Sequence, residues 1–517
     1  MKQRITYIVK DPVQGYDPSN LKVTKTSLTV AALDGAKEHH ITLGMHELPD
    51  ELRELLTGSH ELYVRWGSDR PYEATAPYAS RISPGLHVFF SPLKNQDAPP
   101  LCDHIRAVFG DDVKCDGVET SFTTPPILSG RFSHSASRQF YSYVASLQPL
   151  VDRLVREVCP TSDDFGCKSL AQGLLTADYV DLDYNSISHA LILKAFWSTS
   201  PDSAWDETHH LSSRDGALEV GVLSNEKPDE DEELKYSGVL TQVGKDKEPS
   251  PVLFSFPARH HPLPSSSTFF TSFPPPTGLH PTLKITLPTA SSAASPPLPH
   301  CALHTYLTIP STLFIDRYPL NDPLFLRSNS LKALHALSGA TDLEAPDYLT
   351  PAWGSAALFE VDTADAAIKG SSSFSFTIPL HLRYLPPAGN ASRGLRPVHV
   401  PDPVLFWACP AEEYGKFPSS PFDRVNLGYD GLFGPKTVFF HFTPAASADG
   451  AHTAKLVRRL DVPVLDLDRS WYVELGTVIA VLFGAALVGL PLVKVLIREF
   501  GHRWTRFRGQ DEVKKEK

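Results

Sequence analysis

Apolar and polar residues alternate over short runs through most of this chain, and one long apolar run near its end breaks that pattern. The short runs, bounded by Gly, Pro, Asp and Ser, predict strands over 1–10, 21–30, 61–66 and 86–90. Between 140 and 158, Tyr143, Leu147, Leu150, Leu154 and Val158 recur three or four apart, which predicts an amphipathic helix kinked or interrupted at Pro149. Strand-like runs return at 303–309, 372–378, 398–400, 404–407 and 437–442, with 331–337 as the helical candidate among them. The pattern therefore predicts a β-rich fold. Residues 1–220 read as an α+β domain and 301–465 as an antiparallel β-sandwich.

Between these regions the composition changes. Residues 226–233 are acidic and 249–299 are rich in Pro and Ser, so 221–300 reads as a connecting region that buries little apolar surface. Two strand-like runs inside it, 252–256 and 283–287, predict that part of it is ordered.

The long run is 475–493, 19 residues without a charge. As a helix rising about 1.5 Å per residue it spans roughly 28 Å, enough to cross a bilayer once. This predicts a transmembrane helix over 472–494 and a basic tail over 495–517. Trp471 and Tyr472 sit where an interfacial aromatic belt belongs, and Lys494, Arg498, Arg503, Arg506 and Arg508 crowd the far side, which places the C-terminus in the cytosol and the large N-terminal part in a lumen. Lys514 and Lys515, fourth and third from the end, match a dilysine signal for retrieval to the endoplasmic reticulum. Asn390-Ala391-Ser392 is a glycosylation sequon between turn-rich segments. The first ten residues lack the apolar core of a secretory signal, so a lumenal placement requires another route of entry; a tail-anchored protein of opposite orientation is the alternative.

Six cysteines, Cys102, Cys115, Cys159, Cys167, Cys301 and Cys409, form an even set fit for an oxidising lumen. Sequence does not fix their connectivity. Near neighbours suggest Cys102 with Cys115 and Cys159 with Cys167, which leaves Cys301 with Cys409. A net charge of −11 and no basic stripe outside the tail argue against a nucleic-acid partner.

Catalytic templates are sparse. The chain has no H-E-x-x-H, G-x-S-x-G, Walker A or G-x-G-x-x-G motif. Asp181 and Asp183, and Asp466 and Asp468, have the spacing of metal-chelating Asp-x-Asp pairs, but chance produces a few such pairs in a chain of this length. The pairs His39-His40, His209-His210 and His260-His261 point to opposite faces of a strand and make poor chelates, so they read as surface histidines. Neither a metal nor another cofactor is expected.

The stretch 378–387, Ile-Pro-Leu-His-Leu-Arg-Tyr-Leu-Pro-Pro, and the stretch 398–409, Val-His-Val-Pro-Asp-Pro-Val-Leu-Phe-Trp-Ala-Cys, closely resemble the core motif of the PIG-X-type proteins. Further matches lie at 311–318, 342–346 and 423–430, and the resemblance, strongest to the longer fungal PBN-like branch, covers roughly 300–500. It implies a non-catalytic accessory subunit of glycosylphosphatidylinositol (GPI) mannosyltransferase I in the endoplasmic reticulum membrane. The transferase chemistry, addition of the first mannose to the anchor precursor, would belong to a separate multispanning catalytic subunit. Other lumenal client proteins are a further implied class of partner. His381, Arg383, Tyr384, Pro386, Pro403, Phe406 and Cys409 carry the motif and are the partner-binding candidates. Alternation in a strand would set His381, Arg383 and Leu385 on one face and Leu382 and Tyr384 on the other, with Tyr384 in the core if the motif is purely structural. The competing reading is a single-pass anchored enzyme acting on glycolipid or glycan, with Asp181 and Asp183 as its acids.

Overall fold

The computed structural model describes all residues except 14, 94–97, 127–136, 158, 160–164, 212–215, 231, 289–294, 365–372, 390–393, 412–421, 423–426, 435, 446–454 and 514–517. Two compact units emerge: 1–384 with 398–460, and 385–397 with 461–517.

The N-terminal strand Lys2–Val9 is central to a ten-stranded sheet. It pairs in parallel with Ala217–Glu226 and antiparallel with Gly35–Gly44. Ser59–Gly67 and Gly85–Pro92 form an antiparallel pair towards one end, and Glu233–Gln242 with Ser250–Pro257 close the other. Residues 221–300, where composition suggests a connecting region, thus supply sheet strands, and the acidic run falls in sequence between two of them, Ala217–Glu226 and Glu233–Gln242. Charges are cheap in such a connection because water reaches them.

A second sheet has six strands and includes Ala302–Pro310, Gly354–Val361 and Val404–Pro410 side by side. Alternate residues of these strands face two different environments. Tyr306, Leu358, Phe406 and Phe439 join one apolar core with Phe89, Phe90, Phe140 and Trp66 from the N-terminal region. Leu307, Phe359, Leu405 and Trp407, on the other face, are buried as well. A four-stranded sheet contributes its own alternating apolar set, Leu283, Ile285 and Leu287 with Phe374, Phe376 and Ile378.

Gly428 shows how tightly the shared core closes. Its φ is +81°, and a Cβ there would lie 2.8 Å from the Tyr306 hydroxyl and 3.0 Å from Phe89, so only glycine fits. The next residue, Tyr429, is fully buried, stacks on Phe406 and donates to the Arg81 carbonyl at 2.8 Å.

Three disulfides join Cys102–Cys115, Cys159–Cys167 and Cys301–Cys409. The last closes a loop of sequence separation 108, long enough to restrict the unfolded chain by about 4–5 kcal/mol in the chain-entropy view.

Three local expectations change. The helix predicted over 140–158 is a strand, Arg138–Ser142, followed by a helix, Gln148–Glu157. Pro149 lies in the first helical turn, where its missing N–H costs nothing, so it marks the start and not a kink. The helical candidate 331–337 is a strand, Leu331–Gly339, whose two bulges each add a residue and spoil the period-two pattern. The paired histidines are largely interior: His39, His260 and His261 are buried and His209 is nearly so.

Burial holds the imidazoles of His39, His87 and His209 down at about 3 and that of His261 at about 4. An unfolded chain titrates them near about 6.5. Between those values the unfolded chain binds protons that the folded chain excludes, so their stabilising effect is complete above about pH 6.5 and is lost as pH falls, at about 1.4 kcal/mol per unit for each. The carboxyls of Glu38, Asp178 and Asp402, raised by burial, oppose this at the acid end. The thermal midpoint of the chain in detergent is expected to drop progressively between pH 7 and pH 5; a flat profile would contradict this account.

The second unit has its own internal ties. Ala388 donates to the Leu465 carbonyl at 3.0 Å and accepts from the Leu467 N–H at 2.9 Å. Asp466 then caps a short turn, Leu467–Arg469, that leads into the helix Ser470–Val513. Its apolar stretch is long enough to cross a membrane, and its side chains from Tyr472 to Leu487 are exposed throughout. An apolar helix without protein cover suits single-pass membrane anchoring.

Candidate partner-binding surface

Three of the PIG-X-like blocks, 311–318, 342–346 and the start of 378–387, are far apart in sequence and meet at Arg383. The strand Phe374–Pro379 stops at a proline, which cannot donate to a ladder. The chain then makes only a two-residue strand, His381–Leu382, against Leu313–Phe314. Alternation therefore ends before Tyr384. Arg383 is 3 % exposed, and its guanidinium donates to the carbonyls of Asp342 at 2.5 Å, Ala345 at 2.7 Å and Ala340 at 3.1 Å while lying 4.6 Å above the Phe314 ring. Its own N–H bonds to the Thr312 carbonyl at 2.9 Å. Arg383 thus clasps the 340–345 loop to the 311–318 segment. Asp347 extends the clasp, accepting from Ser311 Oγ at 2.6 Å and donating its N–H to the Tyr384 carbonyl at 3.1 Å.

What this clasp presents outward is apolar. Tyr384 is 70 % exposed, which corrects its expected place in the core. The reason is the early end of the strand, which leaves no sheet face for the ring to join. The segments tied to the same clasp carry other exposed apolar side chains: Tyr348 and Leu349 next to Asp347, Leu343 next to the Asp342 carbonyl that Arg383 grips, and Leu279, whose carbonyl accepts from the Leu382 N–H at 2.9 Å. Tyr318, at the end of the 311–318 block, is also exposed. Clusters of exposed large apolar side chains on a rigid frame mark interaction surfaces, and tyrosine is a favoured anchor in them. Sequence reasoning singled out Tyr384 and missed Tyr318, Tyr348 and Leu349, because no local pattern signals that a loop residue faces water.

The remaining candidates have other places. His381 is half-buried between His280 and Phe314. Pro403, Phe406 and Cys409 are buried, with Phe406 in the shared core and Cys409 in its disulfide. Pro386 is half-buried in the second unit, where its carbonyl accepts from Arg396 Nη1 at 3.1 Å. Asn390, Lys514 and Lys515 lie outside the described residues, as does 423–426 of the third matching block.

Of the two acids of the enzyme reading, Asp183 is buried, and Asp181 is held in an interior ion pair. Both Asp181 oxygens accept from Arg65, each at 2.6 Å, and Oδ2 also accepts from the Tyr63 hydroxyl at 3.1 Å, all in the interior. A carboxylate so paired has no free face for a substrate. Asp466 accepts from the Asp468 N–H as a cap. Among the described residues, one group, His304, His335 and Glu360, brings potential metal-ligand atoms within 4.8 Å of one another.

Comparison with known proteins gives the family. The family model described as PIG-X / PBN1 matches residues 276–493. Protein pbn1 of Emericella nidulans is 45 % identical over 94 % of this chain and 94 % of its own length, and protein pbn1 of Neurospora crassa is 41 % identical over 96 % of each. Protein PBN1 of Yarrowia lipolytica is 32 % identical over 52 % of the chain and 51 % of its own length. The matches to the first two extend well ahead of residue 276, so the ten-stranded N-terminal region is shared with them, and along nearly its whole length the chain belongs to the PIG-X/PBN1 family.

Proposed function

We propose that this protein is a non-catalytic, single-pass subunit of GPI-anchor biosynthesis in the endoplasmic reticulum membrane. It holds the multispanning catalytic mannosyltransferase from the lumenal side and stabilises it. The observation that carries this reading is the exposed Tyr/Leu surface that Arg383 braces at the meeting point of three family blocks. Along the sequence the motif continues into the second unit, in which Ala388 is hydrogen-bonded to the chain just ahead of the membrane helix. An exposed apolar surface on a membrane-anchored chain is suited to a membrane protein with apolar lumenal loops. Three disulfides favour an oxidising compartment, and the basic flank after the helix favours a cytosolic C-terminus. The test is to purify the intact chain from native membranes in mild detergent and identify what accompanies it by mass spectrometry. A stoichiometric multispanning mannosyltransferase is expected. A broad set of immature lumenal proteins would instead indicate a general folding factor, and no partner at all would return the enzyme reading.

A further inference from the structure

His304, in the strand Ala302–Pro310, lies directly opposite Glu360, in Gly354–Val361. On the other side of Gly354–Val361 runs Leu331–Gly339 with its two bulges, and the two extra residues are Lys332 and His335. A bulge re-aims the side chain it carries, and both of these reach Glu360. Lys332 Nζ donates to Oε1 at 2.6 Å, and His335 Nε2 lies 2.7 Å from Oε2. The His304 and His335 rings are 5.5 Å apart between centroids.

His304 is prepared in the way a ligating histidine usually is. Its Nδ1 sits 3.0 Å from the Ala302 carbonyl. A carbonyl only accepts, so Nδ1 carries the proton and Nε2 keeps its lone pair, the second-sphere arrangement that fixes tautomer and ring orientation at metal centres. Phe406 stacks on one face of the ring and Phe433 meets it edge-on, so the ring cannot turn away. His335 and Lys332 lie towards solvent, which leaves an entry path.

We propose that His304, His335 and Glu360 form a zinc site that staples three adjacent strands of the six-stranded sheet. Two imidazole nitrogens and one carboxylate oxygen are a set zinc accepts, with water in the fourth position. The Lys332 ammonium neutralises Glu360 in the metal-free protein and swings into water when the cation enters. Binding therefore replaces a monocation with a dication at the carboxylate, and Lys332 competes with zinc.

The experiment uses the full chain in detergent, stripped with a chelator and titrated with zinc by calorimetry, with Co2+ absorption as a probe of geometry. The expected result is one zinc per chain lost by His335→Ala and by Glu360→Gln, with affinity down at least about 100-fold, the upper end of what loss of even an outer-sphere partner costs. Lys332→Ala is expected to tighten zinc binding, and saturating zinc to raise the thermal midpoint of the wild-type chain but not of His335→Ala. His335 is exposed, so its variant should fold; a metal-free thermal midpoint equal to that of wild type checks this. No saturable zinc binding, or binding that His335→Ala and Glu360→Gln leave intact, would overturn the proposal. So would a Lys332→Ala chain that binds zinc no better, because a simple Lys-Glu-His hydrogen-bond group has no metal for the lysine to exclude.

Discussion

Asp181→Ala is expected to destabilise the chain by roughly 3–5 kcal/mol, because it leaves the Arg65 guanidinium charged and buried without its partner. Arg65 and Asp181 are 3 % and 1 % exposed, and the pair is joined by two bonds of 2.6 Å. Tyr179 lies beneath the guanidinium at 4.3 Å, and Ser80 accepts from Nη1. Removing the acid therefore strands several groups at once. Replacing both partners with apolar residues of similar size, Arg65→Met with Asp181→Leu, should restore most of the loss, since a buried ion pair is often no more stabilising than good apolar packing. Denaturant midpoints of the single and double variants measure this. The comparison also separates the two functional classes: a structural Asp181 leaves the double variant able to support GPI-anchor assembly in cells, whereas an essential catalytic acid leaves it dead however stable it is.

Arg383→Ala should cost about 2–4 kcal/mol, with bonds from a charged donor to three carbonyls lost and the 340–345 loop released. Arg383→Lys should recover little. One ammonium cannot reach three carbonyls in the plane that a guanidinium fork spans, nor lie flat over Phe314. Unfolding midpoints of both variants check this, and limited proteolysis should find new cleavage within 340–347 in Arg383→Ala. An Arg383→Lys chain as stable as the wild type would show that charge alone, and not the fork, holds the loop.

The strands near 61–66, 86–90, 303–309, 404–407 and 437–442 were legible because each sits inside a sheet with at least one buried face, so hydrophobic alternation and turn residues report it directly. The apolar helix was legible for a related reason: lipid imposes a long run that is both uncharged and apolar. Two kinds of feature escaped. Bulges at Lys332 and His335 insert residues that break the period of two, so a strand imitates a helix. Burial of polar residues is the other. His39, His260 and His261 look like surface residues one at a time, but they lie in strands covered on both sides and are satisfied by Gln3, Asp430 and the Ala258 carbonyl. Such partners come from distant parts of the chain. The same limit applied to the candidate site. Its sequence motif marks Arg383, which is the brace, while the apolar surface it supports comes from 279, 318, 343 and 348–349, segments that only the fold brings together.

The most direct test of the account is a comparison at that surface. Tyr348→Ser with Tyr384→Ser removes two exposed rings and no hydrogen bond that the clasp depends on, so the chain should keep its thermal midpoint within about 0.5 kcal/mol of stability. Loss of two central aromatic anchors should weaken a partner contact by 2 kcal/mol or more, roughly 30-fold. The account predicts a folded, membrane-anchored double variant that no longer retains the catalytic subunit during detergent purification. A variant that folds normally and still brings down the subunit at the wild-type ratio would contradict it.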